Sequence, residues 1–423
     1  MSFIMNIRSV AKYESKILVR SWFFRIFTLL AVVFLGFFNF AMMLMEDNFG
    51  LWFAKSVSSN IPYLNLLLLN TGQAVVAVFL SSEFLKRDKK LDTSEVFYVR
   101  PLSNAEYVVG KIWGNLRVFL FLNLLVLAIV LAFNFMASGV TVDLPAYLVY
   151  FFLISIPTLI FIIGLSIFLM LLLKNQALTF ILLLGYIGLT LFYIQDKFYY
   201  LFDYMVYNLP LFKSTIVGFS NLELILNHRA IYFFAGLGFI FFTIFLFKRL
   251  PNARRSHYPW LFLSFCMFLL MVTAGFRHVR SILWEGEMRA LYTSINNKYV
   301  YEPKMAIDYY DISVEQKSET IRSVVGMEGT ALAASEVFIF CLNPGLRVEE
   351  VKDGEKSLNF KREEQILAVD FGRKIEKGDT ISFSVSYEGR IKDDFCYLDI
   401  PEEVLQQPHD KEMLKLDKKY SFQ

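Results

Sequence analysis

The sequence predicts an α-helical polytopic membrane domain followed by an antiparallel β-sandwich. Of the 423 residues, 56% are hydrophobic and 19% are charged, with a mean hydropathy of +0.47, which is more apolar than a soluble domain. Residues 1–275 hold 21 Lys and Arg and 12 Asp and Glu, whereas residues 276–423 hold 21 and 27. This uneven charge predicts a membrane part and then a water-soluble part. The same composition excludes disorder, and 3 cysteines exclude a disulfide-stapled scaffold.

Uncharged apolar stretches of about 20 residues indicate membrane-spanning helices. Seven stretches meet this criterion, six of them in the predicted permease region 26–250 and one in the region 251–276. The fourth contains Pro157, which predicts a tilt or a kink in one span. The stretches are Phe27–Met45, Ile61–Leu80, Val118–Met136, Ala146–Leu173, Ala177–Ile194, Ala230–Phe247 and Trp260–Phe276.

The distribution of Lys and Arg between the loops predicts the orientation. With the N-terminus inside, the inner segments hold 17 of these residues, and the outer loops of the membrane part hold 4. We therefore expect a multi-pass protein of the cytoplasmic (inner) membrane. Its N-terminus is predicted to be cytoplasmic and residues 277–423 extracytoplasmic, which is the periplasm in a Gram-negative cell.

The first 25 residues predict a cytoplasmic helix on the membrane surface rather than a signal peptide. Arg8, Lys12, Lys16 and Arg20 recur every four residues and form one stripe along such a helix. The alternative interpretation is an ordinary solvated basic stripe.

The aromatic-rich segment 195–229 is predicted to form interfacial or re-entrant helices on the outer face. An eighth span in this segment would invert the next helix and place the four basic residues of 248–255 outside. Asp203, Lys213 and Glu223 also interrupt the segment, which argues against such a span.

Recognisable catalytic or metal-binding motifs are missing from the sequence. The four histidines are not spaced for a zinc site, no Cys-x-x-Cys pair occurs, and no phosphate-binding loop is present. The predicted spans contain amides rather than ionisable groups, which disfavours an ion channel or a proton-coupled transporter. Interhelical hydrogen bonding is the simpler role for these amides, and contact with a substrate is the alternative. They are Asn39, Asn65, Asn70, Gln73, Asn123 and Asn134.

The inner loop at residues 81–114 is the most informative part of the membrane domain. Leu91–Glu95 has the composition of a helix start, Arg100-Pro101 ends that helix, and Ser103 with Glu106 predicts a capping box for the next helix. The loop is either a solvated connector or a docking surface for a cytoplasmic subunit.

This loop resembles that of the type-2 ATP-binding-cassette (ABC) exporter permeases. The order of an acidic residue, a basic patch, a helix start, a Pro-Leu-Ser break and a Gly-Lys pair is similar, although Asp92 stands where a glycine is common. The N-terminal helix and the six spans follow in the same order. The matching positions are Glu83, Arg87, Asp88, Leu91, Asp92, Thr93, Glu95, Arg100, Pro101, Ser103, Gly110 and Lys111.

The resemblance implies a permease subunit with those twelve residues coupling it to a separate ABC ATPase subunit. It implies that ATP is bound by that partner, and that this chain has no cofactor and no enzymatic activity of its own. Six spans form half of a transporter, so a second permease protomer is expected, as a homodimer or a heterodimer. The lipid bilayer is the other expected partner, an extracytoplasmic protein is a possible one, and nucleic acid is not expected.

Residues 277–423 predict an antiparallel β-sandwich, because runs such as Ile307–Val314 and Glu336–Leu342 alternate in polarity between glycine-containing turns. The order of its turns resembles the N-terminal β-domain of gluzincin-type zinc aminopeptidases, some of which are fused to permeases. Asn343-Pro344-Gly345 and Ser386–Gly389 are among the matching turns. Since the chain stops at Gln423, the resemblance implies a truncated or split version without the catalytic domain.

Two further matters stay open at this point. Cys341 and Cys396 are both predicted on the oxidising side, so either a disulfide or two free thiols is compatible with the sequence. Besides an exporter permease, the sequence permits a structural or sensory membrane protein with a partner-binding sandwich, or the non-catalytic part of a membrane aminopeptidase. Co-purification of an ATPase subunit and a metal assay separate these alternatives.

Overall fold

The computed structural model describes most of the chain. The described residues are 3–44, 58–90, 102–136, 141–194, 197–209, 211, 213, 219, 221–247, 258–317, 320–392, 395 and 398, with the backbone alone for 82–90. The chain divides into two compact units, the first running to Arg280 and the second beginning at Ser281. This division lies close to the predicted boundary between residues 276 and 277.

The first unit is helical. Its helices are α1 (Phe3–Arg20), α2 (Trp22–Leu44), α3 (Asn60–Lys90), α4 (Asn104–Met136), α5 (Leu144–Tyr150), α6 (Ile156–Leu173), α7 (Gln176–Phe192), α8 (Leu222–Leu246) and α9 (Tyr258–Lys298), and the last of these continues into the second unit.

Six of the described helical segments are long and apolar enough to cross a membrane. They are α2, the first part of α3 (Asn60–Ser81), α4, the α5–α6 pair taken together (Leu144–Leu173), α8 and α9. The apolar helix α7 has 17 residues, which is at the short end of the range for a span. Each of the seven predicted stretches therefore corresponds to one of these helical segments, apart from one or two residues at some ends, and the chain has the pattern of a multi-pass membrane protein.

The kink predicted at Pro157 is a π-helical turn. Residues Phe151–Ser155 form this turn between α5 and α6, so the span Leu144–Leu173 changes its winding immediately before Pro157. A proline lacks the N–H that would bond the carbonyl four residues earlier, and such irregular turns are frequent at functional sites.

The described residues 197–209 of the outer segment differ from the predicted interfacial or re-entrant helices, and its last residues, from Leu222, belong to α8. In residues 197–209 we find a short turn and bends rather than α-helix. Phe198, Tyr199 and Tyr200 have φ values of 54°, 58° and 63°, and three consecutive left-handed residues cannot continue a right-handed helix. The following residues Tyr204 and Val206 are fully buried among the helices. An eighth span is therefore not formed by the described part of this segment.

The second unit consists of the end of α9 and two antiparallel sheets, which accords with the predicted β-rich domain. Its strands are β1 (Met305–Lys317), β2 (Thr320–Ala331), β3 (Ser335–Cys341), β4 (Leu346–Asp353), β5 (Lys356–Ser357), β6 (Asn359–Glu363), β7 (Ile366–Ile375) and β8 (Thr380–Gly389). One sheet has the strand order β1-β2-β8-β4-β5 and the other the order β3-β7-β6.

Aromatic side chains from both sheets form the core of the second unit. Phe371 of β7 packs edge-on against Phe383 of β8, with the ring centroids 5.6 Å apart, and Phe340 of β3 contacts the same Phe383 ring. Phe338 and Val351 complete this core and are fully buried. The two sheets therefore pack face to face, as the alternating sequence pattern predicts.

Candidate functional site

The predicted capping box is present at the start of α4. The hydroxyl oxygen of Ser103 accepts a hydrogen bond from the backbone N–H of Glu106 at 3.1 Å, and the Glu106 carboxylate accepts one from the backbone N–H of Ser103 at 2.6 Å. The amide of Asn6 also donates to the Glu106 carboxylate at 2.8 Å, so the cap connects α1 to α4. This arrangement fixes the end of the inner loop that is nearer to α4.

Helix α1 packs on the first turns of α4 through two glycines. A Cβ added at Gly110 would lie 2.7 Å from the Val10 Cβ, and one added at Gly114 would lie 2.7 Å from the Glu14 Cβ and 2.9 Å from the Ala11 carbonyl oxygen. Real Cβ atoms do not approach so closely, so the Gly-x-x-x-Gly spacing is what permits this approach.

A buried ion pair lies beside the glycines. The Lys111 Nζ is 3.3 Å from the Glu14 carboxylate, and the two side chains are 4% and 3% exposed. Arg117 donates to the Ala11 carbonyl oxygen at 2.8 Å, while the Ser15 hydroxyl donates to the Gly114 carbonyl at 2.7 Å. We call these contacts between α1 and α4 the N-terminal clamp, comprising Asn6, Val10, Ala11, Glu14, Ser15, Ser103, Glu106, Gly110, Lys111, Gly114 and Arg117.

The basic stripe of α1 lies on the face of this helix that points away from the N-terminal clamp. Arg8, Lys12, Lys16 and Arg20 are all exposed, as their spacing predicts, whereas Ala11, Glu14, Ser15 and Leu18 are buried. Apolar side chains such as Ile4 and Tyr13 are exposed on the same helix, at 72% and 62%. Exposed apolar and basic side chains on one helix are typical of a membrane-surface helix.

The twelve predicted coupling residues divide into three groups. Ser103, Gly110 and Lys111 are in the N-terminal clamp. Glu83, Arg87 and Asp88 lie in the last part of α3, of which the structure describes the backbone. The remaining six lie outside the described residues: Leu91, Asp92, Thr93, Glu95, Arg100 and Pro101.

Four polar side chains form a closed ring of hydrogen bonds inside the helix bundle. Gln73 donates to Asn70 at 2.6 Å, Asn70 to the Ser155 hydroxyl at 3.4 Å, Ser155 to Asn123 at 2.7 Å, and Asn123 back to Gln73 at 2.8 Å. All four are fully buried. Because the ring joins α3, α4 and the π-helical turn, it confirms the interhelical role predicted for these amides.

The other predicted amides are also used between elements. Asn39 of α2 and Asn65 of α3 exchange hydrogen bonds of 2.7 and 3.1 Å, which pairs the two helices. Asn134 of α4 donates to the Tyr147 hydroxyl of α5 at 3.1 Å. In this way each predicted amide bonds to another side chain of the bundle.

A buried arginine holds the irregular backbone near the outer segment. The Arg229 Nε donates to the Leu153 carbonyl at 2.7 Å, and one terminal nitrogen donates to the Tyr204 carbonyl at 3.0 Å. The other terminal nitrogen donates to the Thr158 hydroxyl at 2.9 Å and approaches the Ile154 carbonyl at 3.4 Å. Arg229 is 3% exposed.

The position of Arg229 follows from the π-helical turn. Pro157 has no N–H to offer to the carbonyl of Leu153, and the guanidinium supplies that missing donor. Because the sixth span is predicted to begin at Ala230, Arg229 is one of the four basic residues of the predicted outer loops. In the structure α8 begins at Leu222, so a charged residue lies within a candidate span. The apolar pattern upstream of Ala230 is the signal that could have found it.

Two buried histidines hold the left-handed turn that precedes Tyr204. A ring nitrogen of His228 is 2.9 Å from the Tyr200 carbonyl oxygen, and one of His278 is 2.7 Å from the Tyr199 carbonyl oxygen. The two imidazole rings lie 5.1 Å apart. His278 was predicted at headgroup level, whereas it is fully buried against this turn.

Asp203 organises the backbone that follows this turn. Its carboxylate accepts hydrogen bonds from the backbone N–H groups of Tyr207, Asn208 and Leu209 at 2.7–3.0 Å. Burial raises the pKa of Asp203 above its ordinary value, and the three N–H donors act in the opposite direction. Asp203 therefore has a structural role in this turn.

Metal ligands do not cluster in the part of the chain that the structure describes. Among those residues, no group of three or more His, Cys, Asp or Glu side chains is placed to hold a metal ion. Cys341 is a free thiol, and both Cys396 and His409 lie outside the described residues.

The turns that carry the aminopeptidase resemblance meet in space. Gly345 and Gly389 approach so closely that a Cβ on Gly389 would lie 2.2 Å from the Gly345 carbonyl oxygen, and Gly389 has a φ of +150°. Asn343 supports the same junction through its side-chain oxygen, which accepts from the backbone N–H groups of Gly345 and Lys392. The glycines of both turns are thus required by backbone packing.

Comparison with known proteins gives little similarity. No family model matches this chain, and no curated protein matches it. Among solved structures, a mutant M1 zinc metallopeptidase from Deinococcus radiodurans with a bound Tyr-Ser-Ala substrate is similar over 21% of each chain. The identity is 17% and the TM-score 0.19. This chain therefore matches about a fifth of that metallopeptidase, and a TM-score at this level does not establish a common fold.

Proposed function

We propose that this chain is the membrane-spanning permease subunit of an ABC exporter. Two permease protomers form the translocation path, and a separate ATPase subunit binds the loop at residues 81–114 and hydrolyses ATP. In this proposal the chain itself has no catalytic activity. It lies in the cytoplasmic membrane with its N-terminus inside and its second unit outside.

The observation that carries the proposal is the N-terminal clamp. Asn104, where α4 begins, is three positions after Pro101, so the α4 side of the clamp contains three of the predicted coupling residues and directly follows the others in the chain. A helix start that is capped by Ser103 and Glu106 and packed against α1 cannot absorb a displacement by bending locally. Motion of the loop is therefore passed along α4, which contributes Asn123 to the buried ring.

The charge distribution also supports the proposal. The 17 Lys and Arg residues of the predicted inner segments include the exposed stripe of α1, which faces away from the clamp. A basic surface on α1 suits both anionic lipid headgroups and an inner-membrane location. The coupling loop and α1 then lie on the side of the membrane where ATP is available.

The test is a tagged pull-down of the full chain co-expressed with the ABC ATPase encoded in its gene neighbourhood. The double variant D92K/E95K is expected to reach normal membrane levels and to lose the ATPase subunit. Its matched control is E223K, which reverses a carboxylate that is 70% exposed on α8 and is expected to retain the subunit. Retention of the ATPase by D92K/E95K would refute the coupling role of the loop.

The same complex tests transmission through the clamp. Gly110→Ala places a Cβ against Val10 and is expected to leave association intact while removing the stimulation of ATP turnover by the permease. Gly286→Ala is the matched control, because nothing lies within 4 Å of its added Cβ. Equal stimulation in the two variants would show that the clamp does not take part in coupling.

A further inference from the structure

The first strand of the second unit has an open edge. β1 lies at the end of its sheet and pairs with β2 on one side. Within the described residues, no strand pairs with its other side. From Tyr309 to Glu315 this edge contains neither proline nor lysine, and the one bulge of β1 lies before it, between Ile307 and Tyr309. Natural sheets use prolines, lysines and bulges to prevent edge pairing, so this stretch is open to another strand.

The same stretch carries an uncovered apolar stripe. Ile312 is directly opposite Val325 of β2 and points to the same face of the sheet, yet Val325 is 5% exposed and Ile312 57%. Tyr310 and Val314 lie on this face as well, and each is 53% exposed. The cover given by the second sheet therefore reaches β2 and ends before β1. The apolar stripe is therefore an extension of the core of the second unit that the second sheet does not cover.

We propose that β1 pairs antiparallel with β1 of a second copy of this chain, in a register centred on Ile312. This register puts Ile312 opposite the same residue of the copy, and Tyr310 opposite Val314. On the other face it puts Tyr309 opposite Glu315 and Asp311 opposite Ser313. Apolar residues then meet apolar residues, and no two like charges are opposite each other.

The neighbouring registers are less favourable, because they place like charges opposite each other. Centring the pair on Ser313 sets Asp311 opposite Glu315, and centring it on Asp311 sets that carboxylate opposite its own copy. Like charges directly opposite each other destabilise a sheet. A two-fold contact must use the same patch on both chains, and the stretch Tyr309–Glu315 is self-complementary in one register.

This inference rests on the proposed function, because a permease of two protomers provides the second copy of β1. Two protomers in one permease hold two copies of β1 in the same assembly, which raises their effective concentration and makes a short pairing sufficient. An extended segment of another protein would use the same edge, but nothing in its chemistry would favour the symmetric register. Detection of the symmetric register therefore distinguishes a second copy of this chain from a segment of another protein.

The experiment is disulfide trapping in the full chain, with Cys266, Cys341 and Cys396 replaced by serine. Ile312→Cys alone is expected to form a covalent dimer under mild oxidation, because cross-strand partners bring their Cβ atoms close enough for a disulfide. The matched control is Val324→Cys, which is 51% exposed on β2, one strand away from the edge. We expect about tenfold or more dimer from position 312 than from position 324.

A second pair of variants fixes the register. Tyr310→Cys and Val314→Cys should each dimerise poorly alone but should link to each other when chains with different tags are co-expressed. Ile312→Lys in the Tyr310→Cys and Val314→Cys chains should reduce this link, and position 312 is exposed enough to accept the change without unfolding.

The two tags also separate failure of this inference from failure of the proposed function. Tags that co-purify together with the ATPase, without linkage at position 312, overturn the pairing of β1 and leave the permease proposal standing. Linkage of Ile312→Cys to a different protein likewise overturns self-pairing. If the two tags do not co-purify at all, the dimeric permease fails and the inference fails with it.

Discussion

The two units of the chain place their charged side chains differently. In the first unit, Glu14 and Lys111 pair with 3% and 4% exposure, and Arg229 is 3% exposed. In the second unit, Arg347 and Glu388 form an ion pair across two strands with side chains that are 76% and 38% exposed. The first unit therefore has buried charges between its helices in addition to exposed ones, whereas the Arg347–Glu388 pair of the second unit lies at the surface.

This difference changes what each charge contributes. An exposed pair is screened by water and contributes between 0 and about 1 kcal/mol. Breaking a buried pair leaves a charge without its partner in a medium of low polarity, which costs about 3–5 kcal/mol. The buried charges of the first unit therefore determine how helices are joined, whereas exposed pairs such as Arg347–Glu388 affect solubility more than architecture.

The largest expected effect is at Arg229. Arg229→Leu removes the guanidinium donor of the Leu153 carbonyl and one of the two side-chain donors of the Tyr204 carbonyl, which keeps the Thr158 hydroxyl. Each such loss is costly in an apolar surrounding, so we expect a destabilisation of at least about 3 kcal/mol. The measurement is the unfolding midpoint of the detergent-solubilised chain, together with its yield from membranes.

Arg277→Leu is the matched control for this change. Arg277 bonds Glu223 at 2.9 Å, but both side chains are more than half exposed, so its loss should cost less than about 1 kcal/mol. Arg229→Lys should fall between the two, because a lysine keeps the charge but not the fork of donors. Equal midpoints for Arg229→Leu and Arg277→Leu would remove the distinction between buried and exposed charge.

The second effect is at the N-terminal clamp. Glu14→Gln and Lys111→Met should each destabilise the chain by about 3 kcal/mol, and the double variant should cost clearly less than the sum of the two, because both single variants break the same contact. The same cycle on Arg347 and Glu388 should give a coupling below about 1 kcal/mol. Additive effects at Glu14 and Lys111 would mean that their contact does not hold α1 on α4.

The regular parts of both units could be predicted from sequence. Apolar stretches long enough to cross a membrane fall in helices because lipid leaves the backbone no other way to satisfy its hydrogen bonds. The capping box of Ser103 and Glu106 is a local pattern and was predicted correctly. Among the strands, Ile307–Val314 lies in β1, since alternating polarity is a direct consequence of strand geometry.

The missed features depend on contacts between distant segments. Glu14 is 97 positions from Lys111 and belongs to a helix whose basic stripe dominates its sequence pattern. The left-handed turn at Phe198–Tyr200 carries no glycine, so local propensity favours a helix, and it is held by His228 and His278 from other helices. β2 was missed because Gly326 and Gly329 interrupt its pattern of β-branched residues.

The candidate site likewise depends on contacts between segments that are distant in the sequence. The resemblance to exporter permeases singled out Gly110 and Lys111 as a pair of residues, and the structure gives each a physical reason in the packing of α1. It did not indicate Gly114 or Glu14, which complete the same contacts. A residue pattern identifies one side of an interface, and the other side requires coordinates.

The smallest expected effect lies at an exposed pair of the second unit and is identified by its pH dependence. The hydroxyl of Tyr299 and the ammonium of Lys298 bond the Glu363 carboxylate and lower the pKa of Glu363 below its ordinary value. A carboxylate with a lowered pKa in the folded state stabilises the fold above its unfolded pKa, and the contribution is lost as the pH falls through the folded value.

Glu363→Gln should therefore weaken the attachment of the end of α9 to β6 near neutral pH and have little effect once Glu363 is protonated. Hydrogen–deuterium exchange of peptides covering Lys298 and β6 measures this, comparing variant and parent at the same pH, at about pH 7 and at about pH 3. Glu376→Gln is the control, because the exposed carboxylate of Glu376 pairs with Lys374 of its own strand region. If the difference between variant and parent persists unchanged at the acidic pH, Glu363 acts through packing rather than through its charge. The comparison between this exposed ion pair and the buried ion pair of the first unit would then no longer hold.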